Sequence, residues 1–225
     1  MKDELTALAE SLDSKARAKI VDPVIAAITA LLARRFRKQA GLVAAGMSIS
    51  HGQDLKTAAR LDALLEQAED GGAGLVADEL GLSDLEAPDL TRQGTDILAD
   101  LDRTSAREVR SIIKDGTLKG LSREEIQAQI EAAFNGWADA RANASAVHEA
   151  STALHDGMLA AARASGETLV KEWLTDSDPC PTCEDNAGEQ IGLDEPFASG
   201  EMAPPQHLNC RCSMRVFAAS EASEE

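Results

Sequence analysis

The sequence predicts a mainly α-helical protein with a small β-containing subdomain near its C-terminal end, α+β overall. Three observations predict it. The apolar residues, 44% of 225, are mostly Ala and Leu, whereas aromatic residues make up 3% and tyrosine is absent. Ala and Leu favour helices; β-branched and aromatic side chains favour strands. Apolar positions recur at helical spacing along most of the chain up to Ser165. Beyond Asp176 the chain turns acidic and turn-rich, and all four cysteines lie there.

Taken in order, Leu5, Leu8, Leu12 and Ala16 mark a first helix over 3–20. Asp22-Pro23 reads as a helix start, with Asp free to cap and Pro suited to the first turn, so a second helix runs to Gly41 and the two form a hairpin. Arg34, Arg35, Arg37 and Lys38 sit at its end, where a helix dipole favours cations. They are also the candidate partner-binding residues, toward an acidic surface or phosphate. "GLVAAGMSIS" (41–50) reads as a loop, and a third helix over 54–69 is expected to stop at "DGGAGL". The stretch 70–90 reads as a linker, placing a domain boundary near 90.

From Thr91, Ile97, Leu98, Leu101, Val109, Ile112 and Ile113 mark one long helix or two short ones, ending at Gly116. Ser122 and Glu125 offer a capping box for a helix to Phe134. "NGW" (135–137) is expected to break it. The longest helix then runs over 138–165, closed by Gly166. "ETLVKEWL" sets Leu169, Lys171 and Trp173 against Val170, Glu172 and Leu174, the alternation of a strand. The segment after it has few large apolar residues and cannot build its own core. The tail 218–225 is expected to be disordered. Trp137 and Trp173 read as core anchors. His148 and His155, seven apart, read as polar-face residues of the long helix, and His51 as a loop residue without a partner.

Charge narrows the functional classes. The chain carries a net −17; residues 1–50 hold eight basic and five acidic side chains, residues 173–225 two basic and eleven acidic. Most of such a surface repels nucleic acid and anionic membrane. DNA contact is left only to the N-terminal basic residues, and the scarcity of aromatics removes the usual platform for stacking bases. The polar, acidic start is not a signal peptide, and the longest apolar run is about half of the roughly 20 residues needed to cross a bilayer. A soluble protein made in a cytosol is expected. Phosphate-loop, nucleophile-elbow and zincin motifs are absent, so no small-molecule substrate suggests itself.

The chemistry-bearing residues are Cys180 and Cys183 in "CPTC", then His207, Cys210 and Cys212 in "PPQHLNCRC". A two-residue gap lets a tight turn place two ligands on one metal, and two such half-sites meeting is the logic of structural zinc. Zinc takes four ligands, and five donors are present. The candidate sets are the upstream pair plus His207 with one of Cys210 and Cys212, or all four cysteines. A disulfide framework is disfavoured by a cytosolic origin. A redox pair at Cys180 and Cys183 is disfavoured because such motifs open a helix after a strand, whereas this one runs into the acidic "EDNAGE". A catalytic zinc would need an open position and an acid or base; Glu184 and Asp185 are nearby, but no spacing selects them. A turn-rich segment this poor in apolar residues favours the structural reading.

Together "GLSREEIQAQIEAAF", "ADARANASAVHEASTALHDGMLAAARASG", "KEWLTDSD", "CPTC", Gly188 and "PPQHLNCRC" resemble the phage minor head protein, or head morphogenesis, family of the bacteriophage Mu F type, over residues 95–215. The resemblance makes Trp173, Asp178, Gly188, Pro204, Pro205, His207, Cys210, Arg211 and Cys212 signature positions. It implies a non-enzymatic minor capsid component, partnered by the portal or other capsid proteins, found in the virion and assembled in the host cytoplasm. The family's Arg-Thr-Glu triplet is reduced here to Arg141, followed by Ala142 and Asn143, which disfavours an enzymatic site built on it. The expected organisation is a helical adaptor over 1–90, a minor head domain over 91–217 with its metal-binding flap at 173–217, and the tail 218–225. The rival reading is an enzyme, a nucleotide-transfer protein or metal-dependent hydrolase, using the same metal site.

Overall fold

A computed structural model describes residues 2–44, 54–82, 85 and 93–222. Its elements are helices α1 (Lys2–Ala44), α2 (Leu55–Leu80), α3 (Gly94–Leu118) and α4 (Arg123–Gly136), a π-helical turn (Trp137–Arg141), then α5 (Ala142–Ser165). Strand β1 (Leu169–Leu174), the one-turn helix α6 (Pro181–Glu184), β2 (Gln190–Gly192), β3 (Ser213–Ala218) and a 3-10 turn (Ala219–Glu221) follow. The chain is mainly helical with one small antiparallel sheet of strand order β2-β1-β3, the fold class the sequence predicts.

Three expected breaks are absent, each for a packing reason. The hairpin expected at Asp22-Pro23 is one continuous helix, with Pro23 inside α1. A proline there removes one backbone hydrogen bond. Yet Val21, Val24, Ile28, Leu32 and Phe36 are all buried, so the apolar stripe keeps its register across Pro23. The stop expected at "DGGAGL" is absent too, since α2 runs through it to Leu80. A Cβ on Gly72 would lie 2.0 Å from the Leu154 carbonyl oxygen, and one on Gly157 would lie 2.1 Å from that of Glu69. These glycines let the backbones of α2 and α5 approach closely; they are contact residues, not breakers. At "NGW" the chain stays helical but winds one turn wider, as a π-bulge. Trp137 is buried there, edge-on to Phe134 at 4.6 Å and to Phe36 at 6.3 Å, with the Arg141 guanidinium 4.4 Å over its ring.

Other expectations hold. The capping box of Ser122 and Glu125 is formed in both directions. Gly166, at φ +70°, closes α5 in the left-handed conformation that glycine adopts without strain. Within the stretch read as tail, Ala218 ends β3 and 219–221 form the 3-10 turn. His51 and the boundary near 90 lie outside the described residues.

By contacts the chain divides into two compact units, one of residues 1–25, 64–91 and 147–225, the other of 26–63 and 92–146. The second unit buries Ile28, Leu32 and Phe36 of α1, Leu61 of α2, Ile97 and Leu98 of α3 and Phe134 of α4. It also buries an ion pair: Arg35 donates to Asp102 at 2.7 Å, and Gln39 donates to the other oxygen of that carboxylate at 2.8 Å. Asp62 caps α3 by accepting the Gly94 N–H at 2.5 Å.

The first unit contains the sheet. Trp173 pairs with Met214 and Lys171 with Val216, so one face of β1 and β3 turns inward by the two-residue period of a strand. That face shares a core with Ala73 and Val76 of α2 and Leu154, Met158 and Leu159 of α5, and with Phe197, Cys183, Cys210 and Cys212 from the turn-rich segment. The flap does not build its own core, as expected; α2 and α5 lend it one. His155, read from sequence as a polar-face residue, is a correction: it is fully buried, 3.4 Å from the Ser213 hydroxyl.

Candidate metal centre

Two tight turns assemble the site. After β1 the chain reaches Cys180, extended at φ −71° and ψ 158°, which caps α6; Pro181 occupies its first position, where a missing N–H costs nothing. The Cys183 N–H closes this turn on the Cys180 carbonyl at 3.0 Å. The second turn runs from His207 to Cys210, closed by the Cys210 N–H on the His207 carbonyl at 3.1 Å. Asn209 adopts φ +61° in it, a conformation that asparagine tolerates better than most residues. Thus "CPTC" does open a short helix after a strand, contrary to the sequence argument against a redox pair. The partners of its two sulfurs, however, come from the other turn.

The Nε2 of His207 lies 3.2 Å from the Cys180 sulfur and 3.3 Å from that of Cys183, and the Cys183 and Cys210 sulfurs are 3.7 Å apart. Cys183, Cys210 and Cys212 bring their sulfurs within 4.8 Å of one another. All four cysteines are free thiols, and 3.7 Å is far beyond the roughly 2.05 Å of a disulfide. The site opens to solvent as a pocket that Asp176, Asp178 and Arg211 also line. Arg211 and Asp176 approach to 3.7 Å. Glu184 and Asp185 are exposed and are not among the residues lining that pocket.

The electrostatics of the bare donors are divided. The thiol of Cys210 is drawn down to about 5, first by the hydrogen bond from the Cys212 thiol, against burial and with help from the backbone N–H groups of Cys212 and Gln206. Cys212 is pushed up in turn, by the bond to Cys210 and by burial. Burial pushes Cys183 up to about 12. The backbone N–H of Cys183 draws Cys180 down, and the bond to the Leu208 carbonyl lifts His207. Buried thiols kept protonated beside a favoured thiolate are groups whose protons a divalent cation can replace.

Two further observations fit a soft divalent metal such as zinc. The Nδ1 of His207 is tied to the Leu208 carbonyl at 2.9 Å, which fixes the tautomer and leaves Nε2 facing the sulfurs. Donors of this type, sulfur and imidazole, are those of structural zinc. Cys180, Cys183, His207, Cys210 and Cys212 are the residues that could hold such an ion, and what it would supply is a cross-link between the two turns.

The five donors named from sequence therefore come together. The basic residues named with them are placed differently. Arg34, Arg37 and Lys38 are exposed, with Arg37 3.2 Å from Asp139, whereas Arg35 is the buried partner of Asp102 and offers no surface.

Sequence reading missed the groups that hold the flap around the site. Lys171 is fully buried; its ammonium donates to the carbonyls of Leu193 at 3.0 Å and Met202 at 2.8 Å, 5.0 Å from the Phe197 ring. Asn186 and Ser199 exchange two hydrogen bonds at 2.8 and 2.9 Å. The signal for Lys171 was present, since a lysine on the inward face of a strand has to find buried acceptors.

Residues 107–215 match the family model described as phage Mu protein F like protein, a span that contains all five donors. No curated protein and no solved structure matches the chain.

Proposed function

With residues 107–215 a phage Mu F-like region, we propose that this phage head protein acts as a minor capsid component, joined to the portal or to other capsid proteins during head assembly, packaging or DNA delivery, and that a structural zinc staples its flap. The family match over the donor-bearing region is the observation that carries the reading. Supporting the zinc are the convergence of sulfur and imidazole on one point and the tethered Nδ1 of His207. The centre serves as a cross-link rather than a catalyst. The virion is the place of action. Among the described residues no helix is long and apolar enough to cross a membrane.

In this reading residues 1–90 act as the adaptor. Arg34, Arg37 and Lys38 present cations on an otherwise acidic chain, toward an acidic surface of a capsid partner or toward DNA. Co-expression with phage portal and major capsid proteins, followed by sedimentation of heads, tests the proposal. The protein is expected to travel with portal or heads, and Arg34→Glu with Lys38→Glu to weaken that association. Failure of the unaltered protein to join either fraction contradicts it.

A further inference from the structure

We infer that the metal is held by Cys180, Cys183, His207 and Cys210, and that Cys212 is a buried thiol outside the ligand set which ties the centre to the sheet through Trp173. The inference rests on the preceding reading that the site takes a metal. It resolves which of five donors fill four places.

The backbone separates the donors first. The turns 180–183 and 207–210 have the same length and are closed by the same bond, from the N–H of the fourth residue to the carbonyl of the first, at 3.0 and 3.1 Å. The first closure gathers Cys180 and Cys183 on His207, and the second turn carries both His207, which faces that pair, and Cys210, which reaches Cys183. Cys212 lies beyond the second turn, directly before β3.

The donor distances agree. The separations of 3.2, 3.3 and 3.7 Å all join members of this set and chain the four atoms in a row, Cys180 to His207 to Cys183 to Cys210. Two thiolates on one tetrahedral zinc, with bonds of about 2.3 Å, stand about 3.8 Å apart. A set of four cysteines would leave out His207, although its Nε2 faces two of the sulfurs and its Nδ1 is already committed.

Cys212 has other work. Its thiol bonds to the Cys210 sulfur, and its own sulfur receives the backbone N–H of Asp176. It also bonds to the Cys183 sulfur, so it lies within 4.8 Å of two of the ligands, and it is set against Trp173, which is fully buried with an indole Nε1 lacking a conventional hydrogen-bond partner. Cys212 thus stands between the ligand loop and β1, a supporting position of the kind that tunes a metal site without binding it.

The test uses the full chain, purified with zinc, beside Cys210→Ser and Cys212→Ser, with Cys212→Ala where serine is not tolerated. Metal content is measured, X-ray absorption counts sulfur and nitrogen scatterers on the zinc, and cobalt exchange reads the thiolate charge-transfer band. Expected are one zinc with three sulfurs and one nitrogen in the unaltered protein, and the same stoichiometry and band intensity in the Cys212 variant, with affinity lowered by no more than about 10–100-fold. Cys210→Ser is expected to lose stoichiometric metal. Four sulfurs on the zinc, or loss of metal in both Cys212 variants with retention in Cys210→Ser, overturns the assignment while leaving the zinc reading intact. An unaltered protein that binds no metal overturns both.

Discussion

The helical unit of residues 26–63 and 92–146 and the C-terminal segment 169–218 are held by different kinds of group. The helical unit buries a periodic set of aliphatic and aromatic side chains, and a buried ion pair, Arg35 with Asp102, sits inside that packing. The C-terminal segment borrows apolar neighbours from α2 and α5 and closes the rest of its loops with discrete polar clamps. Lys171 holds two carbonyls, Asn186 holds Ser199, and two turns with the residue before β3 gather five donors into two triads that share Cys183. The contrast teaches that a segment short of apolar surface can still be specified when a few groups each fix several atoms at once. It also means that the two regions should fail differently.

The largest difference is expected from a ligand. Cys183→Ser should release the flap, because structural zinc contributes on the order of 10–16 kcal/mol in isolated finger peptides. Near-ultraviolet circular dichroism should lose the Trp173 signal while far-ultraviolet helicity is kept; loss of both together breaks the comparison. In the helical unit the corresponding weak point is Asp102. Asp102→Ala leaves the Arg35 guanidinium buried and unpaired, and should cost about 3–5 kcal/mol in urea unfolding without altering metal content. A third weak point, within the first unit, is Gly157, where an added methyl meets the Glu69 carbonyl oxygen. Gly157→Ala should cost about 1–3 kcal/mol by overpacking the contact of α2 with α5, measured in the same way.

The smallest effect concerns pH. Burial holds the Lys171 ammonium down to about 8, from an ordinary 10.5. Between those values the unfolded chain binds more protons than the folded one, so stability rises with pH in that window; below about 8 the burial penalty is fully present. The denaturant midpoint of the C-terminal segment should therefore climb from pH 8 to 10.5, and Lys171→Met should flatten the climb. A midpoint that is flat in both proteins removes Lys171 from the account.

Much of this contrast was legible in the sequence, and the gaps have physical causes. Periodicity finds helices because burial acts on a whole stripe, so α3, α4 and α5 and the Ser122 capping box could be read directly. Pro23, the Gly71-Gly72 pair and Asn135-Gly136 misled as breakers because local preference carries no information about the partner. Gly72 is there to admit the Leu154 carbonyl, and Trp137 anchors a π-bulge where a break was expected. Arg35 looked like its exposed neighbours Arg34 and Lys38, and only its partner Asp102, 67 residues away, makes it internal. The five donors could be read because metal geometry demands short spacings. Which four would fill a tetrahedral site could not, since that depends on how two distant turns close.

Hydrogen exchange, measured on the zinc-loaded protein before and after chelation, tests the central claim most directly. The account predicts that chelation strips protection from β1, β2, β3 and the turns at 180–183 and 207–210, while α3 and α4 keep theirs. Unchanged protection across 169–218 after the metal is gone would contradict it.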